Sequence, residues 1–349
     1  MPPDPANGAP RGRSRWERFV RTAWWLHSAW ALAFGVGVML YARRGLAHAD
    51  KLLVALAASW FVVFVALRMT VGPDGGGGRL LRRGLRLTTH YFVKNLYQQM
   101  LFFLVPLYAS STTWSASSRN WWLAPLLLAF AVLSTMDLVM DRVVLRRRLL
   151  AAVMYAACMF GVLNLVLPVA LALSHFEALI VAAAAAAPAV ALLTFRVRQI
   201  ASVAGLALVV GAAGGMAVAA FHAVAYVPPA PLALAEGAVG HGTPGSYEIV
   251  PGHARTIPAN QLDGLRCVTR LTEPGGVRDP IVHVWVHRGR VVRRAEPERV
   301  AAAGPGVVFR SYLMSLPDDP LGPWACRVET DAGQLVGERA FEVVPATAP

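Results

Sequence analysis

Seven long apolar runs limit what this chain can fold into. They lie at about Ala23–Ala42, Leu52–Met69, Tyr91–Ala109, Trp121–Met140, Leu149–Leu173, Phe176–Phe195 and Ile200–Ala220. Each is near the roughly 20 residues that cross a hydrocarbon core of about 30 Å. Lipid offers no partner to backbone N–H and C=O groups, so a spanning segment is a helix unless strands close into a barrel. The expectation is an α-helical polytopic membrane bundle of about seven transmembrane helices over residues 23–221, after a basic N-terminus at residues 1–22. Pro106, Pro168 and Pro188 fall inside three of the runs, where kinks are expected.

Charge sets the orientation. The chain is 15% charged, against about 25% in soluble domains. Its formal net charge is nevertheless +13. The excess sits in short loops. Segments 1–22, 68–94, 141–148 and 196–198 hold 17 Lys and Arg, whereas 43–51, 110–119 and 174–175 hold 4. That is the positive-inside pattern, with the N-terminus cytoplasmic and the tail outside. Residues 265–344 carry 11 Arg against 10 acids, which leaves no nucleic-acid-binding face. Ala47-His48-Ala49 resembles a signal-peptidase site, but the first run exceeds a signal core and is expected to stay as a helix. Trp114, Trp121 and Trp122 fit an outer aromatic belt. Gly211-x-x-x-Gly215 and Ala182–Ala187 suit close helix packing inside the bundle.

The tail reads differently. Residues 222–260 are rich in Pro and Gly, as a linker would be. Over residues 261–345 the period becomes two, with turn signals at Pro274-Gly275-Gly276, Arg288-Gly289 and Asp331-Ala332-Gly333. Short strands at this spacing argue a small, extracytoplasmic, all-β, sandwich-like domain. Val282, Val284 and Val286 share one face of a strand, and His283, Trp285 and His287 share the other, read here as solvated. Cys267 and Cys326 each sit on an apolar strand face and are candidates for a disulfide in an oxidising compartment. Sequence does not set the Cα separation such a bond requires.

Several motifs in the tail resemble a bacterial module catalogued as domain of unknown function 2914. They are His283-x-Trp285, Phe309-Arg310-Ser311-Tyr312, Gly322-x-Trp324-x-Cys326-x-Val328, Asp331-x-Gly333-x-x-x-Gly337 and Phe341-x-Val343. The helical part resembles the segment that precedes that module in some members. The matching residues there are Asn95-Leu96-Tyr97-Gln98-Gln99, Leu104-x-Pro106-x-Tyr108 and Ser111-Thr112-Thr113, followed by Val227-Pro228-Pro229-x-Pro231-Leu232. The resemblance implies an architecture and a multi-pass protein of the bacterial inner membrane with a periplasmic C-terminal domain. It implies no activity.

One polar cluster interrupts the third run. His90, Lys94 and Gln98 are four apart and share a helix face, with Asn95 and Gln99 beside them. Counting depth across an antiparallel hairpin sets Asp137 and Asp141 of the fourth run near Lys94 and His90. Two readings stand: a polar pocket in the inner half of the bilayer, or helix-to-helix hydrogen bonds with Lys94 reaching the interface. His48, His175, His222, His241 and His253 are scattered in loops, and none is spaced for a metal or a triad. No catalytic residue, cofactor or metal is assigned, and no nucleophile motif appears in the tail. The expected function is non-catalytic: a bundle that presents a periplasmic β-module for binding or assembly with an envelope protein or glycan. The rival is a membrane enzyme or carrier that uses the polar pocket on a lipid-linked or small polar substrate.

Overall fold

The computed structural model describes residues 98, 100–115, 117–136, 139–144, 146–241, 255–273, 276–299, 306–314 and 316–346, with isolated helical positions at 33, 58, 61, 62 and 65. The helices are α1 (Met100–Ser111), α2 (Leu123–Thr135), α3 (Arg148–Leu171), α4 (His175–Thr194), α5 (Val197–Ile200) and α6 (Val203–His222). A π-turn at Met140–Val144 lies between α2 and α3.

The seven-span expectation does not hold. Among the described residues, α3, α4 and α6 are long and apolar enough to cross a membrane, while α1 and α2 are shorter. The first two apolar runs lie almost wholly outside the described residues. Hydroxyl side chains mark where α1 and α2 end, at Ser111 just past the expected end of the third run and at Thr135 short of the expected end of the fourth. The Ser111 hydroxyl donates to the Leu107 carbonyl at 3.0 Å and Thr112 to that of Tyr108 at 2.7 Å, closing α1. Ser134 and Thr135 donate to the carbonyls of Ala131 and Val132 at 2.6 and 2.7 Å, and α2 stops there. Such local bonds compete with the helical ladder. Apolar run length alone therefore overstated α2.

The bundle core forms where α1, α2 and α3 meet. Leu101, Leu104 and Tyr108 of α1 and Leu123, Leu127 and Ala131 of α2 are fully or nearly fully buried. Their three- and four-residue spacing keeps each set on one helix face. The Tyr108 hydroxyl donates to the Gly161 carbonyl at 2.7 Å and accepts from Asn164 Nδ2 at 3.1 Å. Helix α4 begins with a capping box: Ser174 accepts from the Glu177 backbone, and the Glu177 side chain accepts from Ser174. Helix α6 runs along α4. Only Ala220 of α6 is buried among the described residues, so Gly211 and Gly215 do not pack inside the bundle as expected. A Cβ at either would meet nothing within 4 Å.

Among the described residues, eight strands form two sheets. They are β1 (Ala233–Gly240), β2 (Thr256–Pro258), β3 (Arg266–Thr272), β4 (Ile281–His287), β5 (Arg290–Arg294), β6 (Val307–Tyr312), β7 (Gly322–Thr330) and β8 (Leu335–Val344). One sheet has the order β1-β3-β6, the other β2-β8-β7-β4-β5. Among these strands, only β2 pairs in parallel, on β8. The β4–β5 hairpin turns on Arg288 at φ 48° and Gly289 at φ 78°, the left-handed pair that a two-residue turn demands. Strand β1 lies inside the segment read as a linker. The chain there crosses directly from one core to the other: Val227 and Ala230 belong to the bundle core and Leu232 to the sandwich core.

A disulfide joins Cys267 of β3 to Cys326 of β7, with Cα atoms 6.5 Å apart, and so ties the two sheets together. Trp285 of β4 stands directly across from Cys326 and packs with Trp324 and Phe341 in the same buried cluster. Two sheets, an inter-sheet disulfide and a tryptophan on the adjacent strand are the marks of an immunoglobulin-like sandwich. The face carrying His283, Trp285 and His287 is not solvated. These residues are 3%, 0% and 7% exposed. Their strand is flanked on both sides by β7 and β5, and its valine face is buried too.

Candidate functional site

The polar cluster proposed in the third and fourth runs falls largely outside the described residues. That applies to His90, Lys94, Asn95, Gln99 and Asp137. Gln98 is helical and buried. Asp141 lies in the π-turn, and its side chain is outside the description. A groove of about 990 Å³ opens between α2, α3, α4 and α6, lined by apolar side chains such as Phe160, Ala183, Val190 and Leu208. Gln98 is not part of its lining.

Polar chemistry concentrates instead where the bundle meets the sandwich. Four parts of the bundle end there. The loop after α1 holds Asn120, fully buried. Its Oδ1 accepts from the Thr113 backbone at 3.2 Å and from Ser118 Oγ at 2.8 Å, and its Nδ2 donates to the Leu335 carbonyl of β8 at 2.8 Å. Ser117 Oγ donates to Glu338 Oε1 at 2.7 Å. At the end of α3, the Pro168 carbonyl is one of the four that a helix leaves unpaired, and Arg278 Nη1 donates to it at 3.2 Å. After α6, the Tyr226 carbonyl accepts from Trp122 Nε1 at 2.7 Å and the Val227 carbonyl from Gln334 Nε2 at 3.4 Å.

The start of α4 supplies the fourth part, and it carries the densest chemistry. The Ser174 cap fixes the backbone so that His175, the first residue of the helix, points into the sandwich. Its backbone N–H donates to Asp279 Oδ2 at 2.9 Å, and its ring Nδ1 lies 2.7 Å from the same oxygen. The other ring nitrogen, Nε2, is 3.5 Å from Glu273 Oε1. Glu273 directly follows β3, and Asp279 lies two residues before β4. Both are buried, as is His175. Burial pushes the Glu273 carboxyl up to about 7, against the pull of His175 and Arg278. Burial also opposes ionisation of Asp279, but its hydrogen bonds from His175 outweigh this and hold it below its ordinary value.

A second buried histidine lies beside the disulfide. His283 Nε2 is 2.8 Å from Thr269 Oγ1 and Nδ1 is 3.0 Å from Ser311 Oγ, which also accepts from Trp285 Nε1 at 3.1 Å. Its ring comes within 4.8 Å of both disulfide sulfurs. With both nitrogens occupied by hydroxyls, this histidine ties the two sheets together inside the sandwich. Burial lowers its pKa to about 4.

Sequence reading placed Cys267 and Cys326 on faces that could meet, and the structure bonds them. It treated His175 as a loop residue and did not single out Glu273 or Asp279. The one local signal was Ser174-x-x-Glu177, a capping box that fixes where α4 starts and so where His175 points.

No curated protein matches this chain. A solved structure similar to it is that of an immunoglobulin-like protein from Pseudomonas aeruginosa, at 17% identity, covering 32% of this chain and 98% of that chain with a TM-score of 0.22. A family model described as "Protein of unknown function (DUF2914)" matches residues 278–343. One described as "Family of unknown function (DUF5924)" matches residues 10–265, thereby taking in β1 and β2, the edge strands that complete both sheets. That match spans well over half of the sequence, and the chain belongs to this family, DUF5924.

Proposed function

We propose that this protein is a non-catalytic anchor. Its apolar helices sit in the bacterial inner membrane and hold a disulfide-bonded immunoglobulin-like module in fixed orientation on the periplasmic side, for binding or assembly with an envelope protein or glycan. One observation carries the reading: the two ends of the helices differ. Among the described residues, hydrogen bonds from bundle to module leave the end formed by Ser117, Asn120, Pro168, His175 and Val227. The exposed aromatics Trp114, Trp121, Trp122 and Tyr226 cluster at that end, as side chains at a membrane–water interface do. The opposite end, at the start of α3 and around α5, carries exposed Arg146, Arg147, Arg148, Arg196 and Arg198. Basic residues at one end and a disulfide beyond the other match a cytoplasmic and an oxidising face. The apolar groove between the helices suits lipid rather than a polar substrate.

Alkaline phosphatase fused after Pro349 should be active in whole cells, and a reporter that fluoresces only in the cytoplasm should stay dark at the same position. The reverse pair of results would overturn the orientation and, with it, the presentation of the module outside.

A further inference from the structure

Two of the buried polar atoms at the junction that lack a hydrogen bond belong to neighbouring side chains. They are His175 Nε2 and Glu273 Oε2, on side chains that are 2% and 3% exposed. Native proteins usually give such atoms an ion or a water as a partner. Three features say which. The 3.5 Å between His175 Nε2 and Glu273 Oε1 is longer than a good hydrogen bond. It does match two ligands of one tetrahedral zinc, which bonds of about 2.0–2.2 Å set roughly 3.4 Å apart. The remote nitrogen Nδ1 is held at 2.7 Å by Asp279. A carboxylate there fixes the tautomer that leaves a lone pair on Nε2, the arrangement that supports metal-bound imidazoles. An imidazole beside a carboxylate selects a borderline ion over magnesium or calcium, which take oxygen ligands. The nearby cations, Arg278 and Arg299, are exposed, and solvent screens them.

We propose that His175 Nε2 and the Glu273 carboxylate bind a zinc ion between bundle and module, with water in the remaining positions and Asp279 as a positioning residue. This rests on the docked arrangement described above. The ion would be shared between α4 and the loop after β3, so it would bind the two halves of the molecule to each other.

The test uses the full-length protein in detergent, stripped by chelator and titrated with Zn²⁺ alone. Calorimetry and elemental analysis should find one zinc per chain, with a rise in Tm that Mg²⁺ at equal concentration does not give. His175→Gln and Glu273→Gln should each abolish the site, and Asp279→Asn should weaken it about 10–100-fold. Because these changes also touch the junction, Co²⁺ on the unaltered protein supplies an independent readout. Its visible absorption should appear at one equivalent and vanish on adding Zn²⁺. No stoichiometric zinc, or undiminished binding in both substituted proteins, would overturn the proposal. A thiol cross-link between Ser117→Cys and Glu338→Cys separates the two failures. If it forms and zinc does not bind, only the metal site falls. If it does not form, the docked arrangement fails, and the zinc site falls with it.

Discussion

His283 shows at the scale of one residue what the sandwich core demands. Both ring nitrogens meet hydroxyls, and burial lowers the pKa from 6.5 to about 4. The folded protein keeps the ring neutral, while the unfolded chain takes up a proton as pH falls below 6.5. Stability from this group is therefore complete above pH 6.5 and lost progressively as pH falls towards 4. The amount at stake is about 3 kcal/mol. Thermal unfolding at stepped pH should show that fall, and His283→Gln should flatten it. An equal slope in both proteins would mean another group is responsible. The sequence showed that His283 and the valines point to opposite faces, because a strand has period two. It did not show which face turns inward, because β4 is covered on both. His175, Glu273 and Asp279 were harder still. His175 and Asp279 are 104 residues apart, and no local pattern links the start of a helix to turns in a distant sandwich.

Secondary-structure elements were legible in kind and less so in extent. Period two over residues 261–345 pointed to the sandwich, and the Arg288-Gly289 turn lies where its backbone requires. Strand β1 was hidden in a Pro/Gly-rich stretch. Its residues 233–240, ALAEGAVG, are small and scarcely alternate, and they form a strand because β3 offers an edge to pair with. Helix α2 stops short of the apolar run that suggested it, while α1 ends at Ser111, just past its own. The loop between them is instead folded around Asn120, which holds it to β8. Asn120→Ala should leave the Leu335 carbonyl and the loop's Thr113 amide unpaired, at a cost of about 1–3 kcal/mol. Hydrogen exchange should rise at the start of β8 and in residues 112–120 but not in β3 or β7. Unchanged protection at β8 would show that this contact does not hold the module.

The arrangement of the whole molecule follows from how little chain separates its two cores. Ala230 packs in the bundle and Leu232 in the sandwich, so a single residue lies between them. Domains joined by flexible linkers move relative to one another unless their interface is large and well packed. Here the contacts made by Ser117, Asn120, Pro168, His175 and Val227 join two cores that already meet along the backbone. The module should therefore keep one orientation. Spin labels at Val203, 88% exposed at the far end of α6, and at Met314, 74% exposed on the sandwich, give a distance that spans both parts. In detergent or nanodiscs that distance should be single and narrow. Asn120→Ala combined with His175→Ala, which removes two attachments, should broaden it while the disulfide keeps the sandwich itself folded. A distribution already broad in the unaltered protein would contradict a fixed module, because the short crossing and the buried contacts leave no slack to produce one.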